Sequence, residues 1–197
     1  MRIKLHGILM TLLFVLSIGL IIMIKSNYQM SSKLKEDNLN LLEKNVMLGS
    51  AIWSVTQCHK YINKRIEDLD LIIKKQKRPF SMELNDECRL FYKFSLSDCS
   101  SCIESELKSI KEKMKFVNVL IETQSLRDFK VFVTVNHIDT TKVFQIREPI
   151  LEESEPPFYF VTNRELYIKD LFFPISGLPD LTVEFCQILQ DKVTTKK

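Results

Sequence analysis

The chain reads as an α/β protein in which helices flank a central mixed sheet, preceded by an N-terminal membrane-type helix and a helical stalk. Three observations predict this. Strand-like runs alternate with a helix-period pattern after residue 88, an uncharged run fills residues 7–24, and residues 27–78 favour helix, with no proline and one glycine, Gly49. At 197 residues and 45% hydrophobic content, the sequence accommodates one ordinary domain plus an extension.

The extension begins with the uncharged run from Gly7 to Ile24. At about 1.5 Å per residue it covers roughly 27 Å, close to the hydrocarbon thickness of a bilayer. Arg2 and Lys4 precede it and Lys25 closes it. A cleaved signal peptide and a buried soluble helix are the competing readings. Against cleavage, the run exceeds a usual signal-peptide core, and no small-x-small site follows Ile24. The expectation is therefore an uncleaved signal anchor over residues 1–25, single-pass, with the C-terminal domain on the extracytoplasmic (periplasmic) side of the cell envelope. A net charge of +3, dispersed along the chain, gives no footprint for nucleic acid.

Residues 26–78 form the stalk. Leu34, Leu41, Leu48, Val55, Ile62 and Leu69 repeat at heptad d positions, and Asn38 and Asn45 fall at a. Asn at a favours a dimer in fixed register, so a parallel coiled-coil homodimer is one reading. The other is a helix lying on its own domain, because Leu42, Val46, Ala51, Trp53 and Ile72 widen the apolar surface beyond a narrow seam. A basic last turn and Pro79 are expected to end the helix.

A compact domain is expected over 79–191, followed by a tail, 192–197. Leu90, Tyr92, Phe94 and Leu96 alternate as a strand, and Ile103, Leu107, Ile110 and Met114 recur at helical spacing. Ser101 and Glu104 have the spacing of a capping box. Phe116 to Ile121 returns to strand composition, which completes a βαβ unit with parallel strands. Residues 125–138 suit both strand and helix, and alternation favours helix. A short strand over 142–147, two strands around a turn at Asn163-Arg164, and a last helix from Asp180 to Leu189 complete the order β-α-β-α-β-β-β-α.

Cys99-Ser-Ser-Cys102 sits at the junction of the first strand and first helix of that unit. A cysteine at a helix N-terminus faces unpaired backbone N–H groups, which favour the thiolate that attacks disulfides. One helical turn brings Cys102 within reach of Cys99. The segment Phe94 to Cys102, with the later Pro157 to Asn163, resembles membrane-anchored thioredoxin-like proteins of the TlpA/ResA type, in a short, divergent bacterial form. The resemblance covers roughly residues 85–191 and implies a thioredoxin-like fold. It implies Cys99 as nucleophile, Cys102 as resolving cysteine, and Pro157 as a cis-proline facing them, with protein thiols and disulfides as partners and no cofactor.

Some residues depart from that pattern. Asp98 stands where a tryptophan often precedes the pair, and Trp53, the single tryptophan, lies in the stalk region. Pro156 precedes Pro157, so the position that would offer an N–H to an extended substrate has none; Pro156 and Pro157 are the expected substrate-binding residues. Asp98 and Glu104 are acidic neighbours opposing thiolate formation, so Cys99 is expected to be only modestly activated. A zinc site lacks two further ligands, and Ile103 replaces the histidine that covalent haem attachment needs. Cys186 reads as a buried apolar residue, Cys88 as packing at the start of a strand, and Cys58 as a thiol beside the seam. Lys93, in a central strand, needs a partner or a route to water. Glu152, Glu153 and Glu155 read as a solvated loop, and the aromatic end from Phe158 to Phe173 as sheet core. The expectation is a membrane-tethered thiol-disulfide oxidoreductase acting through Cys99 and Cys102; the alternative is a redox-inactive interaction module of the same fold.

Overall fold

The computed structural model describes residues 2–73, 76–84, 89–151, 156–175 and 178–194. Cys88, Glu152, Glu153, Glu155 and the end of the tail lie outside the described residues. The chain divides into two compact units, Met1–Leu48 and Gly49–Lys197.

The first unit is helical. It contains most of α1 (Arg2–Tyr61), and the apolar side chains from Leu13 to Ile24 are exposed on it. This is one helix long and apolar enough to cross a membrane. Leu34, Leu41 and Leu48 are also exposed.

In the second unit α1 ends at Tyr61, seventeen residues short of the expected stop at Arg78. Asn63 takes a positive φ of 63°, a conformation asparagine tolerates, and its N–H donates to the Ile168 carbonyl at 2.8 Å. Residues 65 and 66 then pair with residues 166 and 167, through the Ile66 N–H on the Leu166 carbonyl and a bridge from Arg65 to Tyr167. Residues expected to prolong the stalk instead form β1 (Asp70–Ile73) and β2 (Gln76–Pro79), an antiparallel hairpin. The physical reason is burial: Ile66, Leu69 and Leu71 enter the core, which a continuing helix would have left in solvent. Trp53 likewise belongs to this unit, its ring edge-on to Phe173 at 5.0 Å.

A four-residue helix, α2 (Phe80–Glu83), seats Phe80 against Phe91 at 5.0 Å. From there the order is the expected one: β3 (Arg89–Ser95), α3 (Ser100–Lys113), β4 (Asn118–Glu122), α4 (Leu126–Val135), β5 (Val143–Ile146), β6 (Phe158–Thr162), β7 (Ile168–Phe172) and α5 (Pro179–Thr194). The ambiguous stretch is helix, opened by Ser125, whose hydroxyl accepts from the Asp128 N–H at 3.2 Å. The seven strands run in the order β2-β1-β5-β4-β3-β6-β7. β5, β4 and β3 are parallel, and the strands outside them are antiparallel. The sheet is thioredoxin-like in its βαβ half, its reversed β6–β7 hairpin and its closing helix.

Both faces of the sheet are covered. Leu90, Tyr92 and Phe94 pack with Ile103, Leu107, Cys186 and Leu189 of α3 and α5. Phe91, Leu120, Phe144, Phe158 and Phe160 pack with Tyr61, Leu71 and Phe80 on the other face. Lys93 points into this second face and is 4% exposed, yet it is paired: its Nζ lies 2.6 Å from Glu122 Oε2. Glu122 keeps a quarter of its side chain in contact with solvent.

The two members of this pair are not equivalent. Glu122→Gln leaves a buried ammonium without a counter-charge and should cost about 3 kcal/mol. Lys93→Met fills the same space and frees a carboxylate that reaches water, so it should cost under about 1 kcal/mol. Urea unfolding of the two variants against the parent chain measures the difference, and equal losses would contradict it.

Candidate functional site

The site forms where β3 gives way to α3. A turn after Ser95 is closed by Asp98, whose N–H donates to the Ser95 carbonyl at 3.1 Å and whose carboxylate accepts from the Ser95 N–H at 2.6 Å. Asp98 therefore has a structural task in the turn that presents the pair. Cys99 is the N-cap of α3, and its carbonyl accepts the first helical bond, from the Ile103 N–H at 3.1 Å. The expected capping box does not form, because the cap falls two residues earlier and places Ser101 inside the first turn. Its hydroxyl instead lies 3.2 Å from Cys99 Sγ.

Both cysteines are free thiols and exposed. The Ser101 hydroxyl, followed by the backbone N–H and thiol of Cys102, draws the Cys99 thiol down from 9.0 to about 7. Cys102 moves the other way. Its hydrogen bond to Cys99 stabilises the protonated form, and partial burial and the Cys99 charge add to the rise.

A cavity of about 490 Å³ opens beside the pair and brings together the four residues singled out from the sequence, Cys99, Cys102, Pro156 and Pro157. Pro174, Ile175 and Pro179 complete an apolar wall. The Pro156–Pro157 peptide is trans, contrary to the expected cis bond, and the described residues contain no cis peptide. Neither proline carries an N–H, so this wall offers a partner shape and carbonyl groups rather than backbone donors.

The floor holds what sequence reasoning missed. Glu106 is only 9% exposed, and its Oε2 accepts from the Tyr159 hydroxyl at 2.8 Å. Burial raises its carboxyl, an effect that the Tyr159 bond partly offsets. Glu104, the acid expected to matter, lies exposed on the outer face. The signal was available: Glu106 lies three residues after Ile103 and four after Cys102, at an apolar-face position of α3. Cys186 is buried as expected, its thiol pushed up to about 12 by burial and then by Glu106. Cys58 is half-buried, donating to the Leu171 carbonyl at 2.9 Å, and burial raises its thiol.

No family model matches the sequence, and no curated protein matches it. Solved structures do. A peroxiredoxin-like protein from Aquifex aeolicus is 16% identical, with a TM-score of 0.44 over 65% of this chain and 86% of its own. The peroxidoxin BcpB from Mycobacterium tuberculosis is 12% identical, with a TM-score of 0.46 over 65% and 97%. A thiol:disulfide interchange protein from a Bacteroides species is 13% identical, with a TM-score of 0.41 over 64% and 89%. At these identities the likeness is one of fold.

Loss of the Ser101 hydroxyl should raise the Cys99 pKa and thin its thiolate at mildly acid pH. Ser101→Ala is expected to slow alkylation of Cys99 by iodoacetamide at about pH 6 by roughly fivefold, the worth of one ordinary hydrogen bond. The two proteins should converge above about pH 9, where both thiols are ionised. A rate profile that stays in place would remove Ser101 from the site. In its fold, the chain is similar to thioredoxin-like proteins.

Proposed function

We propose that the protein is a membrane-tethered thiol-disulfide oxidoreductase. The observation that carries the reading is the asymmetry of the pair: Cys99, exposed at the N-cap of α3, has its thiol drawn to about 7, whereas Cys102, one turn along, is raised. Cys99 thiolate attacks one sulfur of a partner disulfide, forming a mixed disulfide and releasing the other sulfur as a thiolate that takes a proton from water. Cys102 then attacks Cys99 Sγ, which releases the second partner thiol and leaves the pair oxidised. Two electrons pass from the pair to the partner. Pro156 and Pro157 bound the place where the partner sits, and protein thiols and disulfides are the substrate class. With the Cys99 thiol near the value typical of reducing CxxC proteins, the pair suits reduction or reshuffling better than strong oxidation.

Residues 1–25 are the anchor in this reading, with 26–61 as a helical stalk and the remainder of the chain outside the cytoplasm. The exposed heptad positions Leu34, Leu41 and Leu48, with Asn38 and Asn45 between them, suit a second copy of the same helix.

Cys102→Ser should accumulate mixed disulfides with partner proteins in cells, visible by thiol trapping, while Cys99→Ser accumulates none. Failure of the Cys102→Ser protein to trap any partner, together with no disulfide reduction by the parent protein in vitro, would favour a redox-inactive binding module instead. For the stalk, Leu41→Cys should cross-link to a dimer in membranes under mild oxidation, whereas Glu43→Cys, on the outer side of the helix, should not. Equal cross-linking at both positions would remove the coiled-coil dimer.

A further inference from the structure

A second cavity, of about 290 Å³, opens at the other end of α3 from the cysteines. Cys99 caps the first turn of that helix and Lys111 lies in its last, roughly 18 Å further along at about 1.5 Å per residue. The two cavities share no lining residue, so the thiol chemistry makes no use of this one. Its floor is apolar: Leu107 and Ile110 come from α3, Val117 and Val119 from around the start of β4, and Ile138 from the segment after α4. Ile138 is half-buried and the other four are buried.

The rim is basic. Lys111 from α3, Lys115 from the loop that follows it and Lys142 from the turn before β5 surround the opening. Two of the ammonium groups are held by backbone: Lys111 Nζ donates to the carbonyl of Asn136, the C-cap of α4, and Lys142 Nζ donates to the carbonyl of Lys115. Each such bond uses one of three N–H donors and supplies no counter-charge. Among the described residues, no carboxylate lies within ion-pair distance of these three lysines. Asp139, the one acid in the lining, is committed to its own turn, where its Oδ1 accepts from the Thr141 N–H at 2.9 Å and the Thr141 hydroxyl at 2.8 Å. Those two bonds, with Lys142 beyond them, hold its carboxyl below the ordinary value. One acid against three lysines leaves the opening positive. His137 completes the rim. It has a positive φ of 49° just after the C-cap of α4, a position that glycine usually takes, and the N–H groups of His137 and Ile138 close the helix on the carbonyls of Thr134 and Val133 at 3.2 and 3.0 Å. That turn sets Ile138 on the floor and leaves His137 exposed at the rim.

We propose that this cavity binds a small soluble amphipathic anion, its carboxylate or phosphate head on Lys111, Lys115 and Lys142 and its body, one ring or a short chain, on the apolar floor. Like charges gathered at an apolar opening repel one another, and an anionic head both offsets that repulsion and takes up the unused N–H donors as charge-assisted bonds. Lysines act as point charges, so the head need not be planar. An uncharged ligand would leave the ammonium groups uncompensated, and an inorganic anion would leave the floor uncovered. The volume stands at the lower end of the range of small-molecule sites, about 300 to 1,000 Å³, which suits a body of this size and is too small for a two-chain lipid. Binding here involves no covalent step and does not depend on the oxidoreductase reading.

The test uses the full-length protein in phosphatidylcholine nanodiscs, with empty nanodiscs as the blank. Phenyl phosphate, phenylacetate, benzyl alcohol and inorganic phosphate are titrated in turn, the three aromatic probes followed by saturation-transfer NMR and inorganic phosphate by its displacement of phenylacetate. Both aromatic anions should bind about tenfold or more tightly than the alcohol, which lacks the charge, and than inorganic phosphate, which lacks the body. Combining Lys115→Ala with Lys142→Ala should weaken both aromatic anions about tenfold and leave the alcohol where it was. Ile138→Trp, which fills the floor, should abolish binding of all three aromatic probes. If the double variant does not fold, Lys115→Glu, whose side chain gives up no bond in the structure, should weaken the anions in the same direction. Absence of anion binding by the parent protein, or an alcohol that binds as tightly as the anions, overturns the proposal. So do anions whose affinity survives both the lysine substitutions and Ile138→Trp, since they bind elsewhere.

Discussion

Burial of both faces of β3 is the constraint on which the rest of the second unit depends. Its residues alternate between two cores, Leu90, Tyr92 and Phe94 toward α3 and α5, and Phe91 and Lys93 toward α1 and α2. A strand buried on both sides cannot slip by one residue, because a slip would exchange the charged Lys93 with the aromatic rings of the opposite face. The register of β3 against β4 and β6 is fixed by this, with Lys93 opposite Leu120 on one side and Phe158 on the other. The end of β3 is fixed with it. Cys99 comes four residues after Ser95, at the point where the βαβ crossover must begin.

The second core draws in parts of the chain that are remote in sequence. Aromatic contacts run from Phe91 to Phe160 and Phe80, and from Phe158 to Phe173 and on to Trp53 at the end of α1. The last turns of α1 are held there by the Ser54 hydroxyl on the Phe173 carbonyl and the Cys58 thiol on the Leu171 carbonyl. These contacts hold the β6–β7 hairpin, whose open end carries Pro156 and Pro157 before β6 and Pro174 after β7. The apolar wall of the cavity is thus a result of packing on the opposite face of the sheet.

This division also explains what was legible in the sequence. From residue 89 onward each element except α4, which rests on the alternation of strand and helix, announces itself locally, through signals such as period-two alternation in β3, a helical apolar stripe in α3 and a turn at Asn163. The eight-element order is the sum of those signals. The end of α1 does not announce itself, since Ile62, Ile66 and Leu69 continue a heptad pattern with no glycine or proline before Pro79. The helix ends for a tertiary reason: the backbone of residues 63–66 finds partners near β7, and Ile66 and Leu69 find a core. Local spacing cannot register that competition. Glu106 was missed for the converse reason. A charged residue on a helix is read as solvated by default, although its spacing from Ile103 and Leu107 places it on the buried face.

Position in one turn of helix makes two chemically identical cysteines unlike. Cys99, at the cap, is open to solvent, to the Ser101 hydroxyl and to the positive end of the helix, all of which favour its thiolate. Cys102 lies one turn deeper, where Cys99 holds its proton and Glu106 adds negative charge behind it. A thiolate at the first sulfur and a thiol at the second is the arrangement a dithiol needs to attack once and wait, because a second free thiolate would compete for the partner before the mixed disulfide had formed. In the proposed reaction, resolution then requires that the waiting proton be removed only after Cys99 has lost its charge to the new S–S bond. Loss of that charge removes one of the influences that raised Cys102, so formation of the mixed disulfide itself readies the second sulfur. In the proposed reaction the order of the two attacks is therefore set by electrostatics within a four-residue motif, and the surrounding fold supplies its orientation.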